Sequence, residues 1–232
     1  MNHLVFNGKD FAEFSAQVTK SSFLKGAERD GKYFDVLGRS GSLFSDNSRY
    51  KTVTLQTQLA VKGNMQSNME AMRRFLSSCV GFCRYEESDT PQEYRLASFS
   101  KEFNPSDYDH LNGVVTLQFV AQPQRYLKAG EIPVSFNANG QIFNPTYQNA
   151  KPLIRIYGNG SFEIGNTTVT VAEHTQAYID IDCESMLIYS GATRMSEYIT
   201  MTNHEFPEFR HGLNGITVDG VTLQITPRWF EV

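Results

Sequence analysis

Asn203-His204-Glu205-Phe206-Pro207-Glu208-Phe209-Arg210-His211-Gly212-Leu213-Asn214-Gly215, then a short apolar run, Asp219-Gly220 and a last run from Val221 to Trp229, decide the fold class. The stretch reads as an aromatic-Pro corner, a turn at Asn214-Gly215, a strand, a hairpin turn at Asp219-Gly220 and a closing strand. Asn-Gly and Asp-Gly tolerate the positive φ that two-residue hairpin turns require. No nucleophile, base and orienting residue come together in it.

The same turn chemistry recurs upstream, at Asn139-Gly140, Asn159-Gly160 and Gly165-Asn166. Short β-branched or aromatic runs lie between the turns: Pro152–Tyr157, Ser161–Ile164, Thr167–Val171, Ala177–Leu187 and Val221–Pro227. Strands this short at this spacing predict a sandwich or jelly roll. Ile179-Asp180-Ile181-Asp182-Cys183-Glu184 alternates with period two, which predicts apolar residues on a core face and a solvated acidic face opposite.

The first half is less regular. Val53, Leu55, Thr57, Leu59 and Val61 share one face of a long strand over Lys51–Val61. Leu43-Phe44 and the polar Ser45–Arg49 precede it as an extended arm. One helix follows, with Ser67-Asn68-Met69-Glu70 as a capping box and Gly81 as its stop. Met65, Met69, Met72, Leu76 and Cys79 recur at helical spacing and predict core packing. Phe82–Tyr85 and Tyr94–Phe103 predict strands around the polar loop Glu86–Glu93. Val115, Leu117 and Phe119 lie on one face of another strand, ended by Gln122-Pro123-Gln124. Ala129-Gly130-Glu131 marks a boundary between domains 1–130 and 131–232, and no internal repeat is visible.

With 232 residues, 40% hydrophobic and 20% charged, the chain suits two ordered domains. Its net charge of -4 is uneven: residues 1–130 carry +2 and residues 131–232 carry -6. Neither half has the clustered Lys and Arg of a nucleic-acid platform. Cys79, Cys83 and Cys183 are too few for a disulfide framework and read as small buried hydrophobes in a reducing compartment. The start lacks a basic segment followed by a long apolar one, and no stretch is apolar enough to span a membrane. The expectation is folding in a cytoplasm.

Candidate chemistry resolves into bland readings. Gly158-Asn159-Gly160 precedes a strand where a dinucleotide fingerprint needs a helix, so it reads as a hairpin turn. Gly38-Arg39-Ser40-Gly41-Ser42 lacks the Lys-Ser/Thr ending of a phosphate loop and reads as a turn. Asp180, Asp182 and Glu184 could serve glycoside hydrolysis or calcium binding only with ligands from other segments, and none is evident. The histidines are His3, His110, His174, His204 and His211, and HExxH fails at Glu208. No cofactor or metal site is expected. Tyr147, Tyr157, Tyr178, Tyr189, Tyr198, Phe206, Phe209 and Trp229 are either core filling or surface aromatics for a saccharide or a protein partner.

Taken in order, several segments resemble one family. They are Phe6-Asn7-Gly8-Lys9-Asp10, Gly38-Arg39-Ser40-Gly41, the helix around Met69–Ser78 and Tyr94-Arg95. Pro123-Gln124-Arg125-Tyr126, Asn144-Pro145, Pro152 to Gly160, Tyr178 to Asp182, and Phe206-Pro207 through Gly212-Leu213-Asn214 complete the order. The pattern is similar to the distal tail (Dit) family of phages with long non-contractile tails and covers nearly the whole chain. The resemblance implies a mainly β protein: an N-terminal β-sandwich with one α-helix and a ring-forming arm, then a C-terminal galectin-like β-sandwich. It implies a non-enzymatic virion protein at the tail tip, assembled in the host cytoplasm as a hexameric ring. Its implied partners are copies of itself, the tail tube protein, and the tail-associated lysin, hub or receptor-binding protein. DNA would only pass through the ring, and no membrane contact is implied. The arm region places the expected ring interface at Leu43, Phe44, Tyr50, Val53 and Leu55. The alternative reading is a carbohydrate-binding module for host-wall saccharide.

Overall fold

The computed structural model describes residues 2–99, 101–106 and 111–232. It divides into two compact units, Met1–Arg125 with Val232, and Tyr126–Glu231. The division lies ahead of Ala129-Gly130-Glu131 because the residues after Arg125 already pack in the second unit. The Arg228 N–H donates to the Gly130 carbonyl at 2.8 Å, and the Leu127 N–H to Trp229 O at 2.9 Å. A Cβ on Gly130 would lie 2.3 Å from the Trp229 nitrogen, so only glycine fits there.

The first unit is one antiparallel sheet bent over on itself. Its strands run in the order Lys9–Asp10, Leu4–Phe6, Cys83–Glu87, Glu93–Ser98, Asn112–Leu127, Val53–Lys62 and Ala16–Ser21. Cys83–Glu87 and Val53–Lys62 stand three strand spacings apart, or about 14 Å in a flat sheet. Yet the hydroxyls of Tyr85 and Thr57 are hydrogen-bonded in the interior. Ser21 Oγ donates to Glu87 Oε1 at 2.6 Å, and the Val18 N–H to Asn2 O at 2.8 Å. The sheet's two flanks therefore form the two layers. The expected alternation holds: Val53, Leu55, Thr57, Leu59 and Val61 are all buried, as are Val115, Leu117 and Phe119. Pro123 does not end its strand, which continues to Leu127.

The helix spans Met65–Ser78 and buries Met65, Met69, Met72 and Leu76. It starts before the expected capping box. Asn64 is the cap, its side chain accepting from the Ser67 N–H at 3.3 Å. Glu70 instead binds Arg73 and Arg74 along the helix. The stop comes at Cys79, with Gly81 in the turn beyond. Phe75 carries the helix onto Phe11 and Phe14, ring centroids 6.1 Å away in each case.

The second unit is a sandwich of two antiparallel sheets. One runs Val134–Phe136, Thr222–Thr226, Leu153–Tyr157, Ile179–Asp182, Leu187–Ser190 and Thr193–Arg194. The other runs Gly140–Asn144, Gly212–Asp219, Gly160–Ile164, Thr167–Val171 and Ile199–Met201. Phe209 and Trp229 fill the core between them, 5.5 Å apart.

Most of the expected hairpins prove to be something else. Only Gly165-Asn166 joins two neighbouring strands of one sheet. Asn139-Gly140, Asn159-Gly160 and Asp219-Gly220 each carry the chain from one sheet to the other. The last two crossings lie against each other, because a Cβ on Gly160 would stand 2.2 Å from Asp219 O. Asn139 Oδ1 accepts from the Val218 N–H at 2.9 Å and ties the third crossing to the same rim. Asn214-Gly215 is not a turn, since both residues lie within strand Gly212–Asp219. The buried Asn214 side chain bonds both the N–H and the C=O of Arg210 and so folds the corner before the strand. The run Ala177–Leu187 is two strands, broken where Asp182 Oδ1 accepts from the N–H groups of Glu184 and Ser185.

Candidate assembly surface

The expected extended arm is a two-stranded hairpin of Arg29–Asp35 and Ser42–Tyr50. Its tip is a β-turn: the Arg39 N–H donates to Val36 O at 3.1 Å, and Gly38 supplies the positive φ of +80°. Gly38-Arg39-Ser40-Gly41 is thus turn chemistry, as expected. Ser42 Oγ donates to Asp35 Oδ1 at 2.6 Å and closes the neck of the turn.

Charges zip the root. Arg29 meets Asp46, Arg49 meets Asp30, and Lys51 meets Glu28 at 2.9 Å. The Arg29 guanidinium also lies 4.9 Å from the centre of the Tyr50 ring and donates to its hydroxyl. Its hydrogen bond to Asp46 raises the pKa of Arg29 and lowers that of the aspartate. Pairs this open to water align the strands and add little stability.

The distal half is apolar on both faces. Tyr33 pairs across the hairpin with Phe44, ring centroids 4.8 Å apart, and Phe34 pairs with Leu43 on the opposite side. Gly31 lets the Phe44 ring lie over the backbone, where a Cβ would meet that ring at 2.3 Å. Tyr33 is 75% exposed and Leu37 at the tip fully so. Neither strand pairs with any other among the described residues. A lone hairpin of this kind is marginal in water, and its free edges and apolar faces suit a partner.

The five expected interface residues separate into two groups. Leu43, Phe44 and Tyr50 lie on the arm, the first two exposed and Tyr50 half-buried against Arg29. Val53 and Leu55 are 3% and 0% exposed, facing the core of their own unit. Their strand is paired on both edges. Sequence alone missed Tyr33, Phe34 and Leu37, although the apolar pairs 33–34 and 36–37 ahead of a Gly-rich turn were the available signal.

On the second unit, only Glu184 of the expected acidic face is open to solvent. The carboxylate of Asp180, 4% exposed, takes two bonds from Arg155, at 2.8 and 2.9 Å. Register puts Arg155 directly across from Asp180, and Tyr178 covers the guanidinium at 4.1 Å. Arg228 donates to both oxygens of Asp182 and reaches Glu184 at 3.5 Å. The arginines come from distant sequence, which is why alternation alone suggested open carboxylates. Burial pushes the Asp182 carboxyl up, but Arg228 and the turn N–H groups outweigh it and hold the pKa below the usual aspartate value. That contribution to stability is complete above about pH 4, the unfolded value, and is lost as pH falls through the lower folded value. Asp182→Asn should cost about 1 kcal/mol at neutral pH and flatten the acid limb of stability, as read by urea melts across that range.

The histidines do not gather. His3 pairs with Asp10 at 2.8 Å, His174 packs edge-on against Tyr198, and His211 stacks on the exposed Tyr147 at 4.4 Å. His204 ends a single helical turn, and His110 lies outside the described residues. No group of three His, Cys, Asp or Glu among the described residues could hold a metal ion. Of the expected aromatics, Phe209 and Trp229 are core, Phe206 and Tyr198 border it, and Tyr147 and Tyr157 are exposed.

No protein-family model and no curated protein matches the sequence. Among solved structures, the chain is similar to the Dit protein of phage SPP1, described as a paradigm of the hub adsorption apparatus in phages infecting Gram-positive hosts. The TM-score is 0.79 at 13% identity, over the whole of both chains. It is also similar to a chain of the phage P2 baseplate in its activated conformation with calcium, with a TM-score of 0.52 at 11% identity over 97% of each. At such identities the likeness is one of fold, and that fold is the Dit fold from end to end.

Proposed function

We propose that the chain is a non-enzymatic ring subunit of a phage tail tip, joining the tail tube to the adhesion apparatus. The observation that carries this reading is the full-length Dit fold combined with a hairpin that pairs with no other strand among the described residues. A closed ring needs a head-to-tail contact between unlike patches of identical subunits. The arm supplies one such patch through Leu43, Phe44 and Tyr50, joined by Tyr33, Phe34 and Leu37. Val53 and Leu55 stay with the core. Six copies would form the ring around the passage for DNA, with the tail tube protein above and the lysin, hub or receptor-binding protein below. Assembly would take place in the host cytoplasm.

Light scattering behind a sizing column tests the reading. A discrete hexamer or a pair of stacked hexamers is expected, and a monomer at every accessible concentration would overturn self-assembly through the arm.

One observation favours a second reading. Tyr157 is 40% exposed beside Tyr178, which covers an arginine already fixed by Asp180. Aromatic rings and an oriented guanidinium on a sheet face suit saccharide hydroxyls and C–H faces. Calorimetry of the full chain with wall polysaccharide decides it: heat lost in Tyr157→Ala supports saccharide binding, and no heat in the parent removes it.

A further inference from the structure

The five-stranded sheet of the second unit has one face in the core and one face outward. Ile142, Phe162, Ile164, Val169 and Ile216 fill the core side. The outward positions that alternate with them carry no Lys or Arg. Their two acids, Glu163 and Asp219, are exposed and have no ion-pair partner among the described residues. Phe143 and Leu213 stand opposite each other on this face, 56% and 70% exposed.

Gly215 lies on the same face, two residues beyond Leu213. Its φ is not positive, and a Cβ there would meet nothing within 4 Å. Nothing in its own fold calls for glycine, and glycine weakens the interior of a strand. A bare mid-strand position of this kind lets another surface approach the backbone closely.

The arm carries a face that complements this one. Phe34 and Leu43 pair on one side of the hairpin, and Lys32 with Ser45 continues that side. Asp30 and Asp46 are tied to Arg49 and Arg29, and Asp35 lies on the opposite side with Tyr33. Lys32 is exposed and has no ion-pair partner among the described residues. The spacings also agree. Phe34 and Lys32 are two residues apart, as are Gly215 and Thr217, whose cross-strand neighbour is Glu163. Each step is about 7 Å along a strand.

We propose that this outer sheet face is the seat for the arm of a second copy of the chain. The inference rests on the arm being the ring contact. Phe34 lies over the bare backbone at Gly215, Leu37 and Leu43 cover Phe143 and Leu213, and Lys32 pairs with Glu163. The competing surface is the groove along the helix, lined by Met65, Met69 and Phe103. There the single carboxylate of Glu70 is shared by Arg73 and Arg74, so a surplus positive charge faces any arm that brings Lys32. Like charge disfavours that seat, and opposite charge favours the sheet.

Sedimentation velocity of the full chain and its variants tests the seat. Gly215→Gln fills the bare position with a neutral side chain. It is expected to lower the association constant about tenfold, with a melting temperature equal to or above the parent's. Glu163→Lys should weaken association by a similar factor, and adding Lys32→Glu to the same chain should restore it. A chain lacking Arg29–Tyr50 is measured beside them. If that deletion yields monomers while Gly215→Gln and Glu163→Lys associate like the parent, the arm stands as the ring contact and this seat alone is refuted. Failure of Lys32→Glu to rescue Glu163→Lys refutes the pairing that sets the seat. A parent that stays monomeric, or a deletion that stays hexameric, overturns the ring contact and this seat with it.

Discussion

Excising Arg29–Tyr50 and joining Glu28 to Lys51 through a short Gly-Ser linker is expected to leave a folded monomer where the proposed function gives the parent as a hexamer. The join is geometrically simple, because the Lys51 N–H already donates to Glu28 O at 2.8 Å. No residue of the excised hairpin belongs to the buried core of the first unit. The fold should therefore survive with an unchanged melting temperature. What is lost is the apolar surface of Tyr33, Phe34, Leu37, Leu43 and Phe44. Centrally placed aromatic residues of that kind dominate binding energy at interfaces. A double substitution, Tyr33→Ser with Phe44→Ser, keeps the arm but removes one of its faces, and should lower the association constant by at least ~100-fold, taking about 2 kcal/mol per anchor. Sedimentation velocity over a concentration series reads both effects. A hexamer that persists after excision would sink the arm as the ring contact.

Replacing Arg95 by Met should be the most damaging single substitution in the first unit. Arg95 is fully buried, and among the described residues its hydrogen bonds go to backbone carbonyls. Its guanidinium donates to Phe23 O at 3.0 Å and Lys25 O at 2.6 Å, with longer bonds to the carbonyls of Gln122 and Pro123. Burial, then the nearby Arg125, lowers its pKa to about 10, so the charge itself is a burden to the fold. The hydrogen bonds are what it contributes. They tie the segment leading into the arm to the strand Asn112–Leu127. Methionine fills the space but leaves buried carbonyls without donors, at a cost of about 3 kcal/mol. That corresponds to a fall of roughly 10 °C in Tm for a unit of this size. Arg95→Lys should recover part of it, because an ammonium can satisfy some carbonyls but not the whole fork. Calorimetry showing a Tm within a degree of the parent for Arg95→Met would refute this role.

Much of the fold was legible in short-range pattern. The alternation of Val53, Leu55, Thr57, Leu59 and Val61 gave a strand and its buried face. The spacing of Met65, Met69, Met72 and Leu76 gave the helix and its packed side. Both succeed because a repeat of two or 3.6 residues maps directly onto one face of a strand or helix. The arm was half-visible: its turn and its polar second strand were read, but the apolar residues of its first strand were not. An exposed apolar hairpin has the local pattern of a buried one, and only the missing layer above it marks it as a surface.

Sequence alone determined that this chain is mainly β, carries one helix and bends at particular Gly and Asn positions. Tertiary structure decided where those bends lead. Asn139-Gly140, Asn159-Gly160 and Asp219-Gly220 have the chemistry of hairpin turns, yet each sends the next strand into the opposite sheet. Turn chemistry sets local φ and ψ, whereas the sheet a strand joins depends on which distant strand can cover its apolar face. The same reason placed Asp180 under Arg155 and Asp182 under Arg228: a period-two pattern gives the side of the sheet but not the neighbour across it.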